Sequence, residues 1–184
     1  MDMRASDRFP QDVLELQGYL RGESLIPGVE AVPGTGTNVP LYILGSSLFG
    51  AQLAAKLGLP YGFASHFAPG QLLDAVALYR RDFEPSEQLA EPYVIAGINV
   101  IASESDEDAQ RQFLAVKRRR VARFLRAPRA LTDEEADDII ASPQGHQIVQ
   151  MAHYTAAGTQ DLVKRYLDNF AQEAGVDELI TVHA

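Results

Sequence analysis

The sequence predicts an α/β protein, a parallel sheet whose strands are joined by crossover helices. Three observations carry this. Short continuous apolar runs such as Leu41–Leu44 lack polar alternation, so they read as strands buried on both faces. Longer amphipathic stretches separate them, and glycine or proline punctuates most junctions. The resulting order is strand, helix, strand, helix, strand, helices, strand, which a parallel sheet requires.

The elements follow in order. Asp7–Leu20 is expected as a helix, with Asp7 as cap, Pro10 in the first turn, Val13, Leu14, Leu16 and Leu20 as apolar stripe, and Gly22 as stop. Glu23–Pro40 is loop, because Pro27-Gly28, Pro33-Gly34 and Gly36 forbid a long helix; a short strand is expected at Val29–Val32. Leu41–Leu44 is the first buried strand. Gly45-Ser46-Ser47 turns the chain into a helix from Leu48 to Leu57, closed by Gly58. Pro60–Ala64 is a second short strand, and Pro69 opens a helix ending at Arg80-Arg81-Asp82. Pro92–Ile101 is the longest strand signal. Ser105 then caps a long helix with Asp106, Glu107 and Asp108 in its first turn, where the helix dipole favours acids. After Pro128, Thr132 and Glu135 form a capping box for a short acidic helix. A helix near Pro143–Tyr154, a helix capped by Thr159 and ended by Gly175, and a last strand at Leu179–Val182 complete the chain. Four candidate strands are too few to close an eight-stranded barrel, which takes ~250 residues.

Composition bounds the function. The 184 residues carry a formal net charge of −9, which argues against nucleic acid or an anionic membrane as main partner. There is no cysteine, which excludes disulfides, thiolate metal sites and cysteine nucleophiles and suits a reducing compartment. No apolar run approaches the roughly 20 residues of a membrane span. A cytoplasmic protein with one domain over residues 1–184 is expected.

The best local signal for chemistry is the Gly45-Ser46-Ser47 turn. A buried strand ends in glycine, and two hydroxyls sit where a helix begins, so free amides and both serines could hold an anion such as phosphate. The same pattern is that of a plain serine N-cap, and from the residues alone both readings stand. Ser65-His66-Phe67 leaves the second strand at the same edge; His66 is either an acid or base, since imidazole titrates near neutral pH, or a loop hydrogen-bonder. His146 and His153, seven residues apart, would share a helical face but lack metal spacing, and no metal site is expected. Gly34–Val39 imitates part of a dinucleotide fingerprint, but it lacks a third glycine and Pro40 blocks the helix, so it reads as a turn. Neither a nucleophile elbow nor a P-loop is present. Lys117–Arg120 with Arg123, Arg126 and Arg129 reads as a solvated helix face, with a phosphate-binding or subunit-contact patch as the other reading.

From Leu44 to Pro60, followed by Phe63-Ala64-Ser65-His66-Phe67, the chain resembles the luciferase-like flavin monooxygenases. Phe9-Pro10-Gln11-Asp12-Val13, Pro85-Ser86-Glu87-Gln88-Leu89 and Gly175-Val176-Asp177-Glu178-Leu179 share the resemblance, which runs from about Asp7 to Val182. It implies a (β/α)8 barrel that uses reduced FMN and molecular oxygen to transfer one oxygen atom to an organic substrate. By position, Gly45, Ser46 and Ser47 match the turn that binds the FMN phosphate, Ser47 most directly, and Ala64 and Ser65 match the strand end lining the flavin site. The family's first strands, with the histidine near the reactive flavin carbon, have no counterpart here. The resemblance is thus to the carboxyl-terminal half of a barrel, and no catalytic residue is assigned. Such a half exposes sheet edges and interior, so pairing with a second copy or a separate amino-terminal half is expected. The alternatives are a non-catalytic half-barrel that binds flavin, phosphate or a partner subunit, and an unrelated α/β ligand-binding domain.

Overall fold

The computed structural model describes residues 3–125 and 129–183, so Arg126 of the basic run and Pro128 lie outside the described residues. The chain divides into two compact units, Met1–Tyr42 and Ile43–Ala184.

The first unit holds helix α1, Met3–Arg21, which stops at Gly22 in the left-handed region (φ 81°). The helix begins upstream of Asp7 and carries Pro10 inside it, not in its first turn. Met3, Arg4 and Ala5 are good helix formers, so nothing local stops propagation at Asp7. The strand expected at Val29–Val32 is not formed. Its backbone is taken up by turns instead: Val29 N donates to Ile26 O, and Ala31 O accepts from Thr35 N.

The second unit is built on a five-stranded parallel sheet. Its strands are β1 (Ile43–Gly45), β2 (Tyr61–Phe63), β3 (Val94–Ala102), β4 (Thr155–Gly158) and β5 (Glu178–His183). Helices α2 (Leu48–Leu57), α3 (Leu72–Asp82), α4 (Asp106–Phe124), α5 (Asp133–Ala141), α6 (Pro143–Gln150) and α7 (Gln160–Ala174) connect them, with a 3-10 turn at Pro69–Gln71 ahead of α3. β1 pairs with β2 and β2 with the first residues of β3 (Tyr61 opposite Val94). β4 pairs with the last residues of β3 (Asn99 opposite Thr155), and β5 runs along Ile95–Val100. Tyr93 O accepts from β2 and Asn99 N donates toward β4, whereas Val94 O accepts from Asp177 N before β5. Odd-numbered residues of this strand therefore bond one edge and even-numbered ones the other. β2 and β4 thus share one edge of β3 end to end, and β5 takes the opposite edge. This is the partial (β/α)8 barrel that the resemblance implied.

The two faces of the sheet differ. Ile43, Tyr61 and Val94 lie in register and are all buried. Val100 packs with Ala156 of β4 and Val163 of α7, so the even face of β3 lies under helices. The opposite face carries Leu44, Gly62 and Ile95 in one row, with Ile180 and Val182 in register with Gly97 and Asn99. There the outer strands are open: Leu44 is 75% and Ile180 55% exposed, while Ile95 between them is buried. Asp177 fixes the start of β5. Its carboxylate accepts from Val94 N at 2.7 Å and from the Arg80 guanidinium at 2.7 Å.

Caps follow the sequence closely. Ser105 accepts from Asp108 N, and Thr132 and Glu135 complete their capping box. Gly58 and Gly175 end α2 and α7 in the left-handed region. At Gly58 a Cβ would lie 2.5 Å from Glu84 O, so a side chain is excluded by space as well.

Candidate functional site

The Gly45-Ser46-Ser47 turn sits at the carboxyl end of β1, the end at which α/β folds gather ligands. Ser47 is the N-cap of α2 with an extended backbone (φ −145°, ψ 165°), yet its side chain makes no cap hydrogen bond. Ser47 is exposed and Ser46 partly so. The first turn of α2, Leu48-Phe49-Gly50, contains no acid. Free amides, an uncommitted hydroxyl and no competing carboxylate therefore meet at one exposed point, which suits an anion.

What holds this turn is a residue the sequence reading passed over. Tyr61 is fully buried in β2, and its hydroxyl donates to Ser47 O at 3.0 Å. Burial pushes its phenol up to about 12, so it stays a donor at any physiological pH. A Cβ added to Gly50 would meet the Tyr61 ring at 3.4 Å, and one added to Gly45 would lie 3.8 Å from its hydroxyl. The ring thus packs against both glycines at ordinary contact distance. The signal available in sequence was the pairing of a strand tyrosine with glycines in the neighbouring β-turn-α unit, legible only once the register is known.

Ala64 and Ser65 follow β2. Ala64 N donates to Gly45 O at 2.9 Å, tying the ends of β1 and β2 together. Ser65 is 0% exposed, and its hydroxyl donates to Gly97 O at 2.6 Å, so that group is committed to β3. Gly97 in turn makes room for His66: a Cβ there would sit 2.3 Å from His66 Nδ1. His66 is held by Asn99, whose Nδ2 donates to His66 O at 2.7 Å and to Tyr154 O at 3.2 Å. Its Nδ1 is buried with no hydrogen-bond partner. Desolvation, and then the charge of Arg120, hold the imidazole below its ordinary value, so His66 is neutral near pH 7.

The other candidates disperse. His146 lies in α6 but His153 lies beyond its end at Gln150, so the two do not share a helical face as expected. Gly34–Val39 is a turn in the first unit, with Thr37 Oγ1 donating to Gly34 O at 2.7 Å. The basic run splits. Arg118 pairs with Asp133 and Asp137, Arg129 with Glu135, and Lys117 lies 4.0 Å over the Phe113 ring. Arg119, Arg120 and Arg123 have no ion pair among the described residues.

Comparison with known proteins gives a consistent result. The family model described as "Luciferase-like monooxygenase" matches residues 12–178. A luciferase-like monooxygenase of Escherichia coli K12 is 36% identical over 180 residues, covering 95% of this chain and 52% of the relative. The uncharacterized protein YvbT of Bacillus subtilis is 33% identical over 182 residues, covering 97% of this chain and 54% of YvbT. Among solved structures, apo-MsnO8 superposes with a TM-score of 0.79 at 27% identity, over 97% of this chain and 55% of MsnO8. The chain thus spans about half the length of the relatives it matches.

Proposed function

The chain belongs to the luciferase-like monooxygenase family, and from that premise we propose that its β1–α2 turn holds the phosphate of FMN for a flavin-dependent monooxygenase. The observation that carries this reading is the state of Ser47: an exposed N-cap whose hydroxyl makes no cap bond, over a helix start without acids. The residues present fit the group. Amides at the start of α2 and the Ser46 and Ser47 hydroxyls would donate to its anionic oxygens, with Gly45 allowing close approach and Tyr61 holding the turn in place.

Bound in reduced form, the flavin supplies oxygen activation, and this chain's part is to anchor and orient it. Ala64, through its bond to Gly45 O, ties the end of β2 to β1, and Ser65, through its bond to Gly97 O, ties it to β3, so the two would form the wall beside the turn. Neutral His66 adds an uncharged imidazole beside that wall. The inner face supports the second part of the proposal, that the half-barrel works against a complementary surface. Leu44, Ile180 and Val182 leave its outer strands apolar and open, so a second copy or an amino-terminal half-barrel would cover them.

The test is direct. Titrating the protein with FMN should quench flavin fluorescence, and riboflavin, which lacks the phosphate, should bind far more weakly. Equal affinity for the two would overturn the anchor. The same open inner face favours a second reading, a half-barrel that binds flavin without turnover. Oxygen uptake with reduced FMN separates the two, since binding without uptake by this chain selects the second.

A further inference from the structure

Helix α4 carries a mixed stripe of arginines and apolar side chains along one face. Val116, Arg119, Arg120, Arg123 and Phe124 are spaced three and four residues apart, which places them on one helical face. Opposite them stand Phe67, from the segment leaving β2, and Met151, just after α6. Together these seven side chains line a cavity of about 680 Å³, within the ordinary range for organic ligands. None of the three arginines has a carboxylate partner among the described residues, although acids outnumber bases 25 to 16 in the chain. Arg118, one position away on α4, has two such partners. Arg120 is half-buried, and burial holds its guanidinium below the ordinary value, a cost that no carboxylate among the described residues offsets.

We infer that this cleft binds an amphiphilic organic anion, with its carboxylate, sulfonate or phosphate on Arg120 and Arg123 and its apolar body between Phe67, Phe124 and Met151. The chemistry fits each part. A guanidinium fork matches a planar or tetrahedral oxyanion bidentately, and it gains most where it is partly desolvated. Two aromatic rings and a thioether offer a soft, adaptable wall to an apolar body. Arg119, exposed like Arg123, adds a further positive charge that would draw an anion toward the cleft. The cleft opens beside Phe67, which follows β2 at the same end of the sheet as the β1–α2 turn, yet shares no residue with that turn. The inference therefore stands whether or not FMN binds.

Calorimetric titration with 4-phenylbutyrate and its neutral analogue 4-phenylbutanol tests it. The acid should bind about tenfold tighter than the alcohol, and Arg120→Gln with Arg123→Gln should remove that preference. Circular dichroism checks the fold of the double variant; if it does not fold, exposed Arg123→Gln alone should still reduce the preference. Equal binding of acid and alcohol, or a preference that survives both substitutions, would overturn the inference. A parallel FMN titration distinguishes the source of the anion. The double variant should bind FMN as the unsubstituted protein does, and a selective loss of FMN with riboflavin unchanged would hand these arginines to the flavin phosphate instead.

Discussion

Helices α2 and α4 both begin at a serine that follows a strand of the same parallel sheet, and they use that serine in opposite ways. At α4, Ser105 accepts from Asp108 N, and Asp106, Glu107 and Asp108 fill the first turn. The positive end of that helix is answered from within the chain. At α2, Ser47 has the same extended backbone, but its hydroxyl makes no cap bond and no acid occupies the first turn. Helix α7 takes a middle position, with Thr159 as N-cap and Asp161 in its first turn. Orphan amides at a helix start must find a partner in side chain, water or ligand. The difference teaches that a serine before a helix is not a site by itself; what marks one is a serine left unspent where no carboxylate competes.

The comparison can be broken by making α2 resemble α4. Ser47→Asp would keep a good N-cap and set a carboxylate where the phosphate is proposed to sit. FMN affinity should fall by more than the ~3 kcal/mol at the top of the range for a charge-assisted hydrogen bond, because repulsion adds to the loss. Thermal stability should hold or rise, and an unchanged FMN affinity would place the phosphate elsewhere. Ser47→Ala is the milder version. It should cost ~1.5–3 kcal/mol of FMN affinity, read by fluorescence titration, with little change in melting temperature because no cap bond is lost. Ser105→Ala should do the reverse, costing ~1 kcal/mol of stability in denaturant unfolding while FMN binding stays as it was.

The smallest effect concerns what supports the turn. Tyr61→Phe removes the bond to Ser47 O and should cost roughly 0.5–1.5 kcal/mol in stability, with a parallel weakening of FMN. The phenol also has a pH signature. Its value in the folded protein is raised to about 12 from an ordinary 10. The stability it contributes is therefore present below pH 10 and is lost as pH rises through about 12. In an absorbance titration of the phenolates, Tyr61 should contribute to the latest-ionising component, and Tyr61→Phe should diminish it.

The elements read best from sequence were those set by short-range chemistry. The Ser105 cap, the Thr132 and Glu135 box, and the stops at Gly58 and Gly175 each depend on residues within about one helical turn of each other. β4 lies between the helix expected near Pro143–Tyr154 and the Thr159 cap, where the sequence pattern assigns no element. Thr155-Ala156-Ala157-Gly158 has neither length nor bulk to signal a strand, and it becomes one only by lying beside the end of β3. Among the site residues, the Ser46–Ser47 turn was legible because a glycine, two hydroxyls and a helix start are consecutive. The resemblance places Ser65 at the flavin-lining strand end, and no local pattern shows that its hydroxyl bonds Gly97 O, thirty-two positions away in sequence. The basic run reads as a solvated helix face or a phosphate-binding or subunit-contact patch, and only the fold shows that α5 neutralises Arg118 and leaves Arg120 and Arg123 without a described partner.

By itself the sequence determined the α/β class, most of the caps and the place of the Gly45-Ser46-Ser47 turn, since hydrogen bonds between neighbours in the chain decide these. Only the tertiary structure decided which hydroxyls and guanidinium groups remain uncommitted. A side chain is spent or left available by whatever the fold brings against it, and strand register and helix packing bring together residues that no local pattern links.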